Sequence, residues 1–178
     1  DKVLSKINVE NEGNVPIVSS SHLVTEESVS LSGFEYALTM VNNAFHRWML
    51  SSSQACELDN MSPLDILVMH NIHHRNRAKR ITDVAFTLNL DDTHNVSYSI
   101  RKLTKKGFLN HQRKGKDTYY SVTEEGKNFC VEYAKVREEC LVKALEQMNI
   151  EGSLGDMAKV MRTLSGFYDQ ASRAARSL

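Results

Sequence analysis

The sequence predicts a mainly helical protein with one small β-hairpin, arranged as a winged helix-turn-helix between long helices. Three observations carry this prediction. Apolar residues recur at three- and four-residue steps towards both ends of the chain, as in amphipathic helices. In the middle, a short helical pattern and a turn precede a second helical pattern. Strand patterns at 108–113 and 117–122 then flank Lys114-Gly115-Lys116, which predicts a hairpin with a basic tip.

Composition and local signals divide the chain into four predicted segments. Residues 1–31 are rich in Ser, Asn, Glu and Val and predict a flexible or extended arm. Residues 32–60 form the first long helix, which opens at the capping box Ser32-Gly33-Phe34-Glu35. Residues 61–123 hold the helix-turn-helix and its wing, and residues 124–178 hold the last two helices.

Cap and turn residues set the boundaries inside these segments. Ser62-Pro63 opens one helix, because Ser can cap it and Pro at the first helical position loses no hydrogen bond. After a short helix over about residues 82–88, Asp91-Asp92 ends a turn and caps a helix that Gly107 terminates. Thr123-Glu124-Glu125 caps the next helix, and Gly152-Ser153 precedes the last one.

Charge is distributed unevenly although the formal net charge is zero, with 22 basic and 22 acidic residues. Between His73 and Lys116 there are eleven basic residues and three acidic ones. The rest of the chain carries the balancing negative charge. Such a separation allows one surface to attract a polyanion while the remainder keeps the protein dissolved.

The second helix of the pair has a polar face suited to duplex DNA. Val96, Ile100 and Leu103 share one side, which directs His94, Tyr98, Arg101 and Lys105 outwards. Arg can contact guanine, Asn can contact adenine, and Lys, Ser and Tyr suit phosphate oxygens. With the basic wing tip, the predicted DNA-binding residues are Thr93, His94, Asn95, Ser97, Tyr98, Arg101, Lys102, Lys105, Arg113, Lys114 and Lys116.

In their order and spacing these motifs resemble the MarR-type winged-helix transcription regulators. The likeness runs through Ile81-Thr82-Asp83-Val84-Ala85, then Asn95-Val96-Ser97-Tyr98-Ser99-Ile100-Arg101-Lys102-Leu103, then Lys105-Lys106-Gly107-Phe108-Leu109. Val122-Thr123-Glu124-Glu125-Gly126 looks like the family's L-T-x-x-G exit from the wing, and the likeness covers roughly residues 34–175. The family's usual D-x-R pattern is incomplete here, because His111-Gln112-Arg113 supplies the Arg without the Asp.

The resemblance implies a homodimer that binds an inverted-repeat operator in double-stranded DNA and requires no cofactor. It also implies a pocket between the dimerisation helices and the winged domain, in which a small-molecule effector could bind. The residues agree with dimerisation: Trp48, Phe167 and Tyr168 give the terminal helices more apolar surface than a small DNA-binding lobe needs.

The histidines at 70–74 and the three cysteines each permit both a sensing role and a structural role. His70, His73 and His74 have the spacing of metal ligands on a helix, but they also precede a run of cations at a helix end, where they could face phosphate. Cys56 lies near the end of the first helix, where a redox-sensing thiol occurs in relatives. Cys56, Cys130 and Cys140 can equally act as small packing residues.

Several function classes are not supported by the sequence. G-x-S-x-G, H-E-x-x-H and a Gly-rich phosphate loop are absent, so we do not expect an enzyme. No apolar run reaches membrane-spanning length, and three scattered cysteines indicate a reducing compartment, so we expect a soluble cytoplasmic protein. The alternative to a DNA-binding regulator is a winged-helix module for protein–protein interaction.

Overall fold

The computed structural model describes residue 18 and residues 20–178. Its helices and strands are α1 Val29–Ala55, α2 Pro63–His73, α3 Ile81–Thr87, α4 Thr93–Lys105, β1 Leu109–Lys114, β2 Asp117–Val122, α5 Glu124–Arg137, α6 Lys143–Met148 and α7 Glu151–Ala175. Short 3₁₀ helices occupy Ser21–Leu23 and His74–Asn76, and a π-helical turn at Glu138–Val142 joins α5 to α6. The predicted mainly helical fold with a hairpin wing is confirmed.

The first long helix begins earlier than the sequence predicted. It starts at Val29, and the Ser32 amide donates to the Ser28 carbonyl at 3.0 Å as an ordinary helical bond. The capping box predicted at Ser32 is therefore wrong, because this part of the chain offers several Ser residues and the helix begins after another of them. Most of the predicted N-terminal arm lies outside the described residues.

The helices α2, α3 and α4 pack around one apolar core. Ile66 and Met69 from α2, Val84 from α3, and Ile100 and Leu103 from α4 are fully or almost fully buried in it. The first strand and α5 close this core, and α1 contributes Met49 near its C-terminal end. Burial of such side chains stabilises a fold by about 1.5–3 kcal/mol each.

The wing is an antiparallel hairpin whose two strands pair from Leu109 with Val122 to Lys114 with Asp117. A two-residue turn joins them, and Gly115 has a positive φ of 62° at its first position, where glycine is favoured. Lys79 pairs with Tyr120 through two backbone hydrogen bonds of 2.8 and 2.9 Å. This bridge fastens the base of the wing to the segment before α3.

The exit from the wing is fixed by a cap and a close approach. Thr123 Oγ1 accepts from the Gly126 amide at 3.1 Å and donates to the Gly107 carbonyl at 2.7 Å. Gly126 is buried so near the Phe108 carbonyl oxygen that an added Cβ would lie 2.4 Å from it. The sequence motif at residues 122–126 therefore has a local physical cause.

The last helix begins at Glu151, and the break before it lies at Asn149, which has a positive φ of 51°. Gly152 lies inside the first turn of α7, so the predicted boundary at Gly152-Ser153 is wrong by a few residues. Asn tolerates the left-handed conformation and ends α6. Within the described part of the chain, no helix combines the length and hydropathy needed to cross a lipid bilayer.

Candidate nucleic-acid interface

The helix α4 presents a polar face outwards because its apolar face enters the core. Asp92 caps the helix, its Oδ1 accepting from the His94 amide at 2.7 Å. Val96, Ile100 and Leu103 are fully buried. The side chains of the predicted set that are exposed on this helix are Thr93, His94, Asn95, Tyr98, Arg101 and Lys105, while Ser97 is half-buried.

Lys102 differs from its neighbours on α4. Its Nζ lies 2.6 Å from Oδ2 of Asp65, a carboxylate buried in the domain. The adjacent Ser99 is also buried, and its Oγ donates to Oδ1 of Asp65 at 2.6 Å. Lys102, one of the predicted DNA-binding residues, is thus ion-paired with a buried carboxylate. The ammonium is directed inwards by a partner 37 residues away in sequence.

The wing carries its three predicted residues at or near its exposed tip. The register pairs Arg113 with Thr118 and His111 with Tyr120, so these four side chains share one face of the hairpin. Lys114 points to the other face, where its Nζ lies 5.6 Å from the centre of the Tyr119 ring. Lys116 is exposed in the turn.

A groove of about 450 Å³ separates α4 from the wing. It brings Arg101 and Lys105 of α4 together with His111 of the wing. The other lining residues are Thr104, Thr118 and Tyr120. Sequence reasoning did not identify His111, Thr118 and Tyr120 as part of this surface, although their period-2 spacing on paired strands was the available signal.

Some cations of the basic stretch are engaged in contacts within the protein, and others are free to contact a partner. Arg80 pairs with Asp83 at 2.9 Å and with Asp117 at 3.6 Å, and these contacts hold the pKa of Arg80 above its ordinary value. The Lys79 ammonium caps α2 by donating to the carbonyls of residues 71, 72 and 74. Among the described residues, no acidic side chain pairs with the cations of the outward surface, which are Arg101, Lys105, Arg113, Lys114 and Lys116.

The histidine cluster is divided between the interior and the surface. His70 packs edge-on against Tyr133, with ring centres 4.6 Å apart, whereas His74 is exposed. Burial, with added repulsion from His73 and Arg137, lowers the pKa of His70. In the part of the chain that the structure describes, no three or more His, Cys, Asp or Glu side chains are placed to hold a metal ion.

The three cysteines occupy different environments. Cys130 is buried, and burial raises the pKa of its thiol to about 11. Burial, with a contribution from Glu132, also raises the pKa of Cys56, whereas Cys140 is exposed. Because the thiolate is the reactive form, these shifts oppose reactivity at Cys56 and Cys130.

A cavity of about 490 Å³ lies between α1, α2 and α5. Apolar side chains such as Phe45 and Leu67 form much of its wall, and His70, His73 and Arg137 provide a basic part. The buried His70 Nε2 and His73 Nδ1 have no hydrogen-bond partner among the described residues. The cavity lies where α1 meets α2 of the winged helix domain.

Comparison with known proteins agrees with this geometry. Residues 61–126, from just before α2 to the first turn of α5, match the family model described as a winged helix DNA-binding domain. The winged helix fold described above is thus matched in sequence as well. The matched range includes every predicted DNA-binding residue. No curated protein sequence matches the chain.

Solved structures show that the likeness extends beyond the winged helix domain. The transcriptional regulator BldR from Sulfolobus solfataricus has 16% identity and a TM-score of 0.63, covering 79% of this chain and 99% of its own. FabT of Streptococcus pneumoniae, in complex with DNA, has 16% identity and a TM-score of 0.61, covering 77% and 96%. A MarR-family transcriptional regulator from Rhodococcus sp. RHA1 has 15% identity and a TM-score of 0.57, covering 74% and 91%.

The fold around the winged helix domain is thus that of the MarR-type transcription regulators, and the fold implied by the sequence resemblance is confirmed. The matched family model describes a DNA-binding domain, and the BldR and Rhodococcus structures are those of transcriptional regulators. The terminal helices are part of this shared architecture, since the structural likeness covers far more than residues 61–126.

Proposed function

We propose that the protein is a transcription regulator that binds a specific sequence in double-stranded DNA. The observation that carries the proposal is the outward surface of α4 and the wing. There, the exposed side chains of Asn95 and Arg101 are of types that can contact base edges. Lys105, exposed on the same helix, is of a type that binds phosphate. An α-helix fits the major groove, and a wing can reach the neighbouring backbone or minor groove.

The proposal includes binding as a homodimer to an inverted repeat. The helix α7 has no buried residue among those described, although Met157, Val160, Met161 and Phe167 lie along it. On α1, Met40, Val41 and Phe45 are also exposed. Such a large apolar surface favours a partner, and a two-fold axis would place two α4 helices on successive major grooves.

Support for duplex DNA as the ligand comes from both charge and likeness. The FabT structure with a similar fold contains DNA, as does that of reduced AbfR, which has a TM-score of 0.67 at 13% identity. Five cations without an acidic partner among the described residues, Arg101, Lys105, Arg113, Lys114 and Lys116, lie within the matched range of the winged helix domain. The role as a protein–protein interaction module needs no such cationic surface, so the charge favours DNA. Cytoplasmic location, as expected from the cysteines, agrees with access to DNA.

A small-molecule effector belongs to the same proposal. The cavity between α1, α2 and α5 falls in the size range of small-molecule sites, about 300–1,000 Å³. Its walls come from both the dimerisation helix α1 and the winged helix domain. A bound molecule would therefore contact the two parts of the protein whose relative orientation sets the spacing of the α4 helices on the operator. The unpartnered nitrogens of His70 and His73 would provide polar contacts.

Selection of bound sequences from random duplex DNA tests the central proposal. The full-length protein should enrich an inverted repeat whose half-sites are about one helical turn apart, 10–10.5 base pairs. An enriched sequence with no repeat would contradict the dimer. Failure to retain any DNA at low salt would favour the protein-interaction role instead.

A further inference from the structure

A buried carboxylate joins α2 directly to α4. Asp65 is only 2% exposed, and it lies in the first turn of α2. Its Oδ1 accepts from Ser99 Oγ at 2.6 Å, and its Oδ2 accepts from Lys102 Nζ at 2.6 Å and from the Ser62 amide at 2.8 Å. Both oxygens are therefore occupied, and two of the three donors belong to the helix that carries the DNA-facing residues.

The two attachments on α4 define its orientation. Ser99 and Lys102 are three residues apart, so they lie one above the other on the same side of the helix. Arg101 precedes Lys102 by one residue, which is about 100° of rotation. A rotation of α4 that broke the contacts to Asp65 would also change the direction of Arg101.

Apolar packing alone defines this orientation less sharply. Val96, Ile100 and Leu103 are held by the hydrophobic effect, which has no directional preference. Hydrogen bonds weaken steeply when their angle departs from linearity. The buried polar contacts therefore add an angular constraint that the apolar residues of α4 do not provide.

We propose that Asp65 is a positioning residue for base readout, which holds α4 in the rotation that directs Arg101 at the DNA and withdraws Lys102 from it. The inference rests on the proposed function. It assigns Lys102 a role opposite to that of Lys105, one turn further along the same helix. Lys105 is exposed and would contact phosphate, whereas Lys102 neutralises the carboxylate that positions the helix.

Replacing each lysine by methionine separates the two roles. Lys105→Met should reduce the slope of log affinity against log salt by about 0.9 for each phosphate that the variant no longer binds. Lys102→Met should leave that slope as in the wild type but lower the ratio of operator affinity to random-duplex affinity. A reduced slope with an unchanged ratio in Lys102→Met would overturn the inference, because it would make Lys102 an ordinary phosphate-binding residue.

The carboxylate itself is tested by Asp65→Asn and by the double variant Asp65→Asn/Lys102→Met. Asp65→Asn releases the Lys102 charge, so binding to random duplex should strengthen and its salt slope should steepen. Discrimination, the ratio of operator affinity to random-duplex affinity, should fall by about tenfold or more, which is the amount that one base contact provides. In the double variant the salt slope should return to that of the wild type, while discrimination stays low.

Ser99→Ala keeps the inference testable if Asp65→Asn does not fold. It removes one attachment and leaves the ion pair, so discrimination should fall without a change in the salt slope. Circular dichroism and thermal unfolding would establish that each variant compared is folded. Unchanged discrimination in folded variants would show that Asp65 is merely structural. If the wild type itself does not discriminate between operator and random duplex, the proposed function fails before this inference is reached.

Discussion

Tyr168 on α7 donates a hydrogen bond of 2.9 Å from its hydroxyl to Oε1 of Glu35 on α1. The bond joins two helices through residues that lie 133 positions apart in sequence. Both helices also expose apolar side chains, including Val41 on α1 and Met161 on α7. The first and last helices therefore contribute to one surface, and this surface is the candidate dimer interface.

Sedimentation at micromolar concentration should give about 40 kDa, twice the 20.2 kDa chain, if α1 and α7 pair between protomers. Val160→Asp should shift the protein towards monomer, because it places a charge on the apolar stripe that would be buried. Arg162→Asp is the matched control, since Arg162 lies about 200° around α7 from Val160. A wild type that sediments as a stable monomer would contradict the dimer.

Arg101→Ala should lose selectivity as well as affinity. The side chain is exposed opposite the buried face of α4, so in a major-groove complex it would approach base edges. The expected loss is about 1–3 kcal/mol at one base-pair position in each half-site. Titrations against the selected operator, its single-base variants and random duplex provide the measurement. An equal loss on operator and random duplex would exclude base readout by Arg101.

Replacement of Lys114 and Lys116 should weaken binding to all duplexes to nearly the same extent. These residues lie at the wing tip, where binding to the phosphate backbone is expected. Wild-type affinity should fall about a thousandfold or more between 50 and 200 mM salt if about six or more phosphates are bound. For each phosphate that the variant no longer binds, the salt slope should decrease by about one. A slope that does not change in the double variant would show that the tip does not bind phosphate.

Arg113 lies on the wing face that carries His111 and Thr118, so its behaviour should differ from that of the tip lysines. A narrow A·T-rich minor groove attracts arginine through its enhanced negative potential. Arg113→Ala should therefore lose most affinity for operators with A·T-rich flanks. Binding to operators that differ only in those flanks measures this, and an equal loss on G·C-rich flanks would assign Arg113 to the phosphate backbone.

Gly126→Ala should destabilise the protein by about 1–3 kcal/mol, the usual cost of overpacking a filled site. The new methyl group would lie 2.4 Å from the Phe108 carbonyl oxygen, so the wing exit or α5 would have to shift. Gly155→Ala is the control, because nothing lies within 4 Å of its added Cβ. It should stabilise α7 by up to about 1 kcal/mol. Urea unfolding of both variants compares them, and equal effects would contradict the close approach.

Acidification should remove a stabilising contribution from Asp65. Burial alone would raise its pKa, but the hydrogen bonds from Lys102, Ser99 and Ser62 outweigh burial and lower it. The folded state therefore favours the ionised form, so the contribution is complete above the unfolded pKa of about 3.9. It is lost as pH falls through the lower folded value.

Unfolding free energies measured from pH 6 downwards test this. The decline below about pH 4 should be shallower in Asp65→Asn than in the wild type. Asp91→Asn, at an exposed position in the turn before α4, is the control. If the unfolding free energies of the wild type and of Asp65→Asn decline in parallel as pH falls, ionised Asp65 does not stabilise the folded state.

Signals close together in sequence determined much of this fold. Ser62 and Asp65 cap α2 reciprocally, Asp92 caps α4 and Thr123 caps α5, and each of these bonds spans two or three residues. Gly107, with a positive φ of 84°, follows the end of α4 as predicted. The order of the helices, the wing and the polar face of α4 therefore followed from the sequence, because their causes are local hydrogen bonds and periodic burial.

The tertiary structure alone decided which charges are available to a partner. Lys79, Arg80 and Lys102 belong to the same basic stretch as Arg101 and Lys105, and composition does not distinguish them. Lys102 turns inwards because folding places the Asp65 carboxylate beside it, 37 residues away in the chain. Distant partners of this kind depend on how α2 and α4 pack. A helical pattern specifies which face of a helix is buried. It does not specify which buried group of the neighbouring helix will form an ion pair with a given charged residue.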